Sequence, residues 1–363
     1  MATTLLVFLV LLLTSSTSYA TYSYPPPYRY PPAEDDAPLL SKDVEHLKSL
    51  KAEAELPEVM IELTRVWHGR TKLYSKLHEV EGATVFEVPF SLKHFEPPQL
   101  AFQALDKKSV RRTKVKDVVK GFRPLHLPVN FSPAGRVNGT GVPISEGGNR
   151  AVNVFLPDDR YLFQDTSFPW STTGKWNKTG PVGWVKFTPA YNKGAAPFGT
   201  AWGERVIYWN RAPGPNLTDF ESAFDYVVVV LDRNMGDLTG YAGYRTYSSS
   251  WNNGHYWQQI GYPADISSAE APAFSGNGSI TSVSTYSTKG QTGYVLGNFV
   301  DTFAGHSGGP YWGWWKNEPW PRVVGTCSSE SFDPSKLDAT GDNNAGGGPG
   351  LSSLISYARE HYP

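Results

Sequence analysis

A short glycine-rich stretch carries the clearest chemical signal in the chain. Residues 301–310 read DTFAGHSGGP, in which Ser307 stands among glycines. A serine hydroxyl can act as a nucleophile when it is exposed beside backbone N–H groups that point at a developing oxyanion, and glycines permit the tight backbone that this requires. The stretch therefore predicts Ser307 as a nucleophile. The alternative interpretation is a glycine-rich surface turn, because GxSGG alone is short.

The motif resembles the serine motif of trypsin-like peptidases of the chymotrypsin superfamily, and DTxxG resembles its glutamyl-endopeptidase-like branch. The resemblance runs from about Asp158 to the C-terminus, through FPWSTTGKW, GWVKFTPAY, PFGTAWG, DYVVVVLD and YWQQIGYP. It implies an oxyanion hole built from the N–H groups of Gly305 and Ser307. It also implies that Asp225, 82 residues before Ser307, is the triad aspartate, with Asp232 as the less favoured acid.

The histidine that would complete this triad is not where the resemblance places it. A peptidase of this type needs an imidazole upstream of the aspartate to take the hydroxyl proton, and no histidine lies between Leu127 and Asp225. His306 adjoins Ser307, so the two side chains should diverge, and His255 falls in the second barrel by the resemblance. We therefore expect peptidase activity to be impaired.

A short connection indicates why the histidine is missing. In relatives, a strand and the histidine turn lie between the equivalents of GKW (174–176) and GWV (183–185), whereas residues 177–182 alone join them here. This pattern indicates an internal deletion, which would also remove paired cysteines and leave Cys327 as the single thiol.

Two residues are candidates for the primary specificity pocket, again by resemblance. Asp301 stands six residues before Ser307, where trypsin-like relatives have the base of that pocket, and could select Arg or Lys. The DTxxG branch carries an acid there regardless of specificity. Cys327 stands where glutamyl-specific relatives have a pocket histidine, so a preference for acidic residues loses support. The favoured role for Cys327 is a buried apolar filler, with a reactive pocket thiol as the alternative.

Composition narrows the classes of partner. The 363 residues are 40% hydrophobic, and 33 basic residues against 34 acidic ones give a net charge of −1. No overall field exists to hold a nucleic acid or an anionic membrane. One cysteine excludes an intrachain disulfide and a cysteine-based zinc cluster, and we expect no metal and no cofactor. The partners expected are protein or peptide substrates, with a protease inhibitor as a further candidate.

The N-terminus predicts export. Nine apolar residues, 5–13, precede a small polar stretch that ends at Ala20, which is typical of a signal peptide over 1–20 and too short to span a bilayer. A secreted, extracellular protein could be glycosylated at its Asn-x-Ser/Thr sequons. These sequons lie at Asn130, Asn138, Asn177, Asn216 and Asn277.

The remaining chain divides near residue 150. Eleven of the twelve tryptophans follow this point, together with short β-rich runs bounded by Gly, Pro, Asn and Asp. We therefore predict a pro-segment over 21–150, opening with a Pro/Tyr-rich linker, and a trypsin-like peptidase domain over 151–363. The β-rich runs favour an all-β sandwich or barrel, with a short C-terminal helix near 351–359. The resemblance to trypsin-like peptidases implies two six-stranded antiparallel β-barrels, of which the first would be incomplete here.

Three functions compete at this stage. The first is a secreted serine endopeptidase, made as a zymogen and impaired in this chain by the missing histidine. The second is a catalytically dead pseudoprotease that binds peptides or inhibitors. The third, ranked last, is a glycan-binding β module that uses exposed tryptophans such as Trp312, Trp314 and Trp315.

Overall fold

The computed structural model describes residues 38–39, 78–80, 83–89, 103–104, 118–134, 154, 158–178, 185–209, 217–288, 290–330 and 343–362. The strands are β1 (His78–Val80), β2 (Ala83–Pro89), β3 (Gln103–Ala104), β4 (Val118–Val119), β5 (Tyr161–Leu162), β6 (Gly174–Lys178), β7 (Val185–Pro189), β8 (Ala201–Trp209), β9 (Val227–Leu231), β10 (Gly243–Arg245), β11 (His255–Gly261), β12 (Ala273–Thr288), β13 (Gln291–Asn298), β14 (Pro310–Gly313), β15 (Arg322–Glu330) and β16 (Asn343–Gly347). The helices are α1 (Asp219–Ser222), α2 (Gly236–Thr239), α3 (Ala264–Ser267) and α4 (Pro349–His361), with 3-10 turns at Trp170–Thr172 and Ser249–Trp251.

Six strands of the C-terminal half close into a barrel. They pair antiparallel in the order β14, β11, β12, β13, β16 and β15, and a further pairing of β15 with β14 closes the ring. Every strand contributes one almost fully buried side chain to a shared interior cluster: Trp257, Ile280, Leu296, Tyr311, Val324 and Ala345. Because a closed barrel pairs every strand on both edges, it gives a rigid support for the residues at its rim.

The first sheet stays open within the part of the chain that the structure describes. Its path runs β1, β2, β8, β7, β6, and β9 pairs with β8. Strands β6 and β7 pair directly, from Gly174 opposite Pro189 to Lys178 opposite Val185. Among the described strands, β6 pairs only with β7, and β9 pairs only with β8. The prediction of an all-β fold with an incomplete first barrel is thus confirmed.

The helix at the C-terminus packs where the two sheets meet. Gly348 has φ of 87° and Pro349 occupies the first turn of α4, a position that tolerates its missing N–H. Leu351, Leu354 and Tyr357 of this helix are buried in one cluster with residues of both sheets. The prediction of a short closing helix is confirmed, and the helix runs on to His361.

Strands from the predicted pro-segment join both sheets. Strand β2 pairs with β8 through five residue pairs, and β4 pairs with β10 beside the closed barrel. Phe122 and Phe131, which also precede residue 150, are buried. The division at residue 150 and the cleavage of the first part stay predictions. The predicted signal peptide lies outside the described residues, and no described helix is long and apolar enough to cross a membrane.

The tryptophans proposed for glycan stacking are buried, so that expectation is wrong. Trp312 and Trp314 are 1% exposed and Trp315 is 3% exposed. The indole N–H groups of Trp312 and Trp314 donate to Oε1 of Gln258, at 2.8 and 3.3 Å. These three side chains are part of the hydrophobic core, because they lie in or directly after β14, the strand that closes the barrel.

Burial of Trp312 gives a stability prediction. We expect Trp312→Ala to lower the free energy of unfolding by about 3–5 kcal/mol, because it leaves a cavity and strips Gln258 of a hydrogen-bond donor. The control is Trp176→Ala on β6, since Trp176 is 46% exposed and stacks on Phe187 at 4.6 Å. This control should cost about 1 kcal/mol. Urea unfolding of both variants measures the difference, and equal losses would contradict the assignment of Trp312 to the core.

Candidate active site

The turn that carries Ser307 lies on the rim of the closed barrel. Ser307 is exposed, whereas the preceding His306 is 0% exposed, so the expected divergence of the two side chains is confirmed. The turn is closed by two backbone bonds, from His306 N–H to the carbonyl of Phe303 at 2.9 Å and from Gly309 N–H to the carbonyl of His306 at 2.7 Å. The nucleophile candidate therefore projects from a hydrogen-bonded turn.

The backbone on either side of Ser307 adopts conformations that favour glycine. Gly305 has φ of 103° and Gly308 has φ of 80°. A Cβ on Gly305 would also lie only 2.1 Å from the carbonyl oxygen of Tyr262. Within the described residues, neither the Gly305 N–H nor the Ser307 N–H donates to a backbone carbonyl. The role of these two N–H groups in an oxyanion hole stays a prediction.

The end of β11 supports this turn from behind. Tyr262 N–H donates to the carbonyl of Gly305 at 3.4 Å, and Ala264 N–H donates to the carbonyl of Ala304 at 2.8 Å. A Cβ on Gly261 would lie 2.6 Å from the ring of His306, so this glycine is needed for the close approach. The turn is therefore packed directly against the barrel wall.

A second contact with the turn comes from β15. Gly308 N–H donates to the carbonyl of Cys327, and Cys327 N–H donates to the carbonyl of Gly309, each at 2.8 Å. The next residue, Ser328, donates its hydroxyl to Oδ2 of Asp225 at 2.8 Å. Consecutive residues of one strand thus bind the nucleophile turn and the candidate triad acid.

Asp225 is an acid in a partly buried place. It lies two residues before β9, and Ser328 is its single hydrogen-bond partner among the described side chains. Burial raises the pKa of Asp225, and the hydrogen bond from Ser328 acts in the opposite direction. The sequence analysis did not predict a role for Ser328. Its position directly after Cys327, a candidate pocket residue, is the feature that could have indicated one.

None of the histidines with described side chains reaches Ser307 through a recorded contact. Nε2 of His126 lies 3.0 Å from the carbonyl of Leu238, and Nδ1 of His255 lies 3.3 Å from Oγ of Ser279. The His361 ring stacks on Tyr357 at 4.0 Å. Nδ1 of His306 lies 2.9 Å from Oε1 of Gln259. None of these four contacts involves Ser307 or Asp225.

The candidate pocket base, Asp301, is bound to the segment that follows the predicted pro-segment. It is 4% exposed, and its Oδ2 accepts the N–H of Asp159 at 3.0 Å. Burial raises the pKa of Asp159, whose carboxyl is also hydrogen-bonded to that of Asp301. One oxygen of Asp301 is therefore already hydrogen-bonded within the protein.

Arg160 connects residues 158–160 to α3 through its ion pairs. Its guanidinium binds Oδ2 of Asp158 at 2.8 Å and Oδ2 of Asp265 at 2.7 Å, and its side chain is fully buried. The two carboxylates hold the pKa of Arg160 above its usual range despite burial. Residues 158–160 therefore join the barrel rim at two places, Asp301 and Asp265.

Cys327 is buried among the residues of the barrel core, at 8% exposure. This placement agrees with the filler role that the sequence favoured. Its role in a specificity pocket stays a prediction. No group of three or more metal-ligating side chains occurs among the described residues.

Comparisons with known proteins add distant likenesses of fold. No family model matches the chain, and no curated protein matches it. A solved Glu endopeptidase aligns with TM-score 0.41 and 18% identity, over 56% of this chain and 97% of its own. The protease Anisep from Arthrobacter nicotinovorans aligns with TM-score 0.31 and 12% identity, over 79% and 97%. A thermostable serine protease from an extremophilic microorganism aligns with TM-score 0.31 and 18% identity, over 49% and 76%. At these scores the matches carry no argument about activity.

The Asp225–Ser328 bond gives a pH-dependent prediction. Because burial raises the folded-state pKa of Asp225, its ionisation lowers stability as the pH rises from the unfolded value through the folded one. Ser328→Ala removes the donor and should raise that pKa further. We expect it to lower the free energy of unfolding by about 1.5–3 kcal/mol above this pH window, and less below it.

The matched control is Ser329→Ala. The Ser329 hydroxyl bonds Oγ of Ser222 at 2.7 Å, and neither group is charged. Its effect should not depend on pH. Urea unfolding as a function of pH compares the two variants, and a Ser328→Ala loss that is constant with pH would contradict the assignment.

Proposed function

We propose that the chain is a secreted serine endopeptidase of the trypsin-like superfamily, impaired because its general base is missing. Ser307 is the nucleophile, and the N–H groups of Gly305 and Ser307 form the oxyanion hole. Asp225 is the triad acid. Residues 1–20 act as a signal peptide and 21–150 as a pro-segment of a glycosylated zymogen, and the substrate is a protein or peptide.

The observation that carries this proposal is the turn at residues 305–308. An exposed hydroxyl stands between two glycines with positive φ, beside two N–H groups without backbone acceptors among the described residues. An exposed N–H group can exchange water for a ligand, and two such groups next to a serine would suit the tetrahedral intermediate of acyl transfer. Two consecutive residues of β15 support the proposal further, since Cys327 bonds to the turn and Ser328 bonds to Asp225.

The missing general base lowers the rate that we expect for acyl transfer by Ser307. An oxyanion hole and substrate binding can retain a reaction above the uncatalysed one after a triad member is lost. Asp225 cannot replace the imidazole in its present contacts, because its recorded hydrogen bond is to Ser328. Water or an added base must therefore accept the proton of the Ser307 hydroxyl.

The pocket contacts bear on substrate class. Asp301 is 4% exposed and its Oδ2 already accepts the N–H of Asp159, which weakens the case for an Arg or Lys preference. Cys327 offers a buried, uncharged surface, which gives no cation to an acidic side chain. We propose that an uncharged side chain is the better candidate for this pocket.

Activity-based labelling tests the proposal. A fluorophosphonate should label purified protein at Ser307, at a rate about 10⁴- to 10⁶-fold below that of a complete triad. Adding free imidazole should raise the rate, because the small base takes the proton that no side chain accepts. Mass spectrometry of the labelled peptide locates the site, and Ser307→Ala is the control. Complete absence of labelling, with and without imidazole, would count against the nucleophile role.

The second candidate is a pseudoprotease, favoured by the same missing base. It predicts tight binding of peptides or of a protease inhibitor, measured by calorimetry, with no trapped acyl-enzyme. A transcript read across residues 176–183 separates the two origins of this chain. A histidine-bearing coding segment at that place would support a truncated form of an active peptidase, and its absence would refute that origin.

A further inference from the structure

Two uncharged side chains meet in the barrel wall directly behind Ser307. Gln259 on β11 and His306 are both 0% exposed, and Oε1 of Gln259 lies 2.9 Å from Nδ1 of His306. His306 is the residue of the turn between the two candidate oxyanion N–H groups. Its imidazole is therefore covalently next to the reacting serine but turned into the core.

The hydrogen-bond network fixes where the protons are. Nε2 of Gln259 donates to the carbonyl of Ile260 at 3.0 Å, so Oε1 is the atom that faces His306. Since Oε1 can only accept, Nδ1 of His306 must carry the proton and donate. Nε2 of His306 is then an unprotonated, buried nitrogen, and it has no hydrogen-bond partner among the described residues.

The surroundings keep this imidazole neutral. A second proton would have to sit on Nε2, where nothing described accepts it, and the charged guanidinium of Arg160 is close enough to repel it. Asp158 and Asp265 are already paired with Arg160. Burial, with a smaller contribution from Arg160, lowers the pKa of His306 to about 3.

We propose that Gln259 and His306 form an uncharged lock that positions the oxyanion turn, and that both are positioning residues for the chemistry of Ser307. This inference rests on the proposed function for its chemical readout. The lock acts through the His306 backbone, which closes the turn by bonds to Phe303 and Gly309. Because no member of the pair changes charge near neutral pH, the turn keeps its geometry without a salt bridge at this position.

The wild-type protein gives the first test, because it needs no substitution. Nitrogen NMR of labelled histidine should show His306 as the Nδ1–H tautomer, without titration from about pH 4 to 8. An exposed histidine should titrate near its ordinary pKa over this range. Titration of His306 there, or an Nε2–H tautomer, would overturn the proposal.

Gln259→Glu gives the second test, because it puts a carboxylate in place of the amide. The carboxylate should favour an imidazolium at His306 and cannot donate to the carbonyl of Ile260. We expect the backbone amide resonances of Gly305 and Ser307 to acquire a pH-dependent shift that the wild type lacks. Fluorophosphonate labelling of Ser307 should slow by about 10²-fold through misplacement of the turn.

The matched control is Gln258→Glu on the same strand. Gln258 is also buried, at 3% exposure, but it bonds Trp312 and Trp314 and does not contact the turn in the recorded hydrogen bonds. Both variants should lose stability, because each puts a carboxylate in the barrel wall. A difference between them at the turn therefore reports on positioning by Gln259 and not on a general loss of stability. The amide resonances of Gly305 and Ser307 should shift with pH in Gln259→Glu but not in Gln258→Glu. Equal shifts in both variants would overturn the proposal.

The outcomes separate this inference from the proposed function. If wild-type protein is not labelled at Ser307, the proposed function loses support, whereas the tautomer and the amide resonances still decide whether the lock exists. If Gln259→Glu does not fold, the wild-type titration of His306 alone decides. Labelling that proceeds at the wild-type rate in a folded Gln259→Glu protein would overturn the positioning role.

Discussion

The constraint on which the candidate site depends is the shape of the turn at residues 305–308, where Gly305 and Gly308 have positive φ. Glycine adopts positive φ without steric strain, but it loses more conformational freedom on folding than other residues, so the turn needs contacts that hold it in one conformation. The surroundings offset that cost through bonds from Tyr262 and Ala264 on one side and Cys327 on the other. These partners lie on or next to β11 and β15, which belong to the closed barrel. The barrel is thus the reason that the turn can hold its shape.

The contacts of β15 explain how an acid far away in sequence reaches the same place. Ser328 and Asp225 are 103 residues apart, yet Ser328 follows the residue that binds Gly308 and Gly309. The strand therefore sets the nucleophile turn and the acid relative to each other without a direct bond between them. Among the described side chains, the hydrogen-bond partner of the Asp225 carboxylate is the hydroxyl of Ser328.

The sequence predicted the features that depend on local patterns. It missed the features that depend on packing between residues far apart in the chain. The glycines around Ser307, the all-β class, the incomplete first barrel and the closing helix follow from motif, resemblance and periodicity, and the described residues bear them out. The Gln259–His306 pair spans 47 residues, and nothing local distinguishes Gln259 from Gln258. The burial of Trp312 also could not be read from its neighbours, since YWGWW suits an exposed aromatic face and a barrel strand equally. Only closure of β14 onto β11 and β15 decides between them.

The predicted internal deletion would connect the missing histidine with the openness of the first sheet among the described strands. Strand β9 begins two residues after Asp225, and among the described strands it pairs only with β8. Val227 at its start is 43% exposed, which is unusual for a run of four valines. A segment that paired with β9 would cover these valines and would end beside the Asp225 carboxylate, where an imidazole is needed. The short link between β6 and β7 removes chain length at the opposite side of the same sheet. The predicted deletion would thus account for an edge strand unpaired among the described strands, an exposed valine and a candidate acid without a described imidazole, whereas a point loss of the histidine would leave the sheet closed.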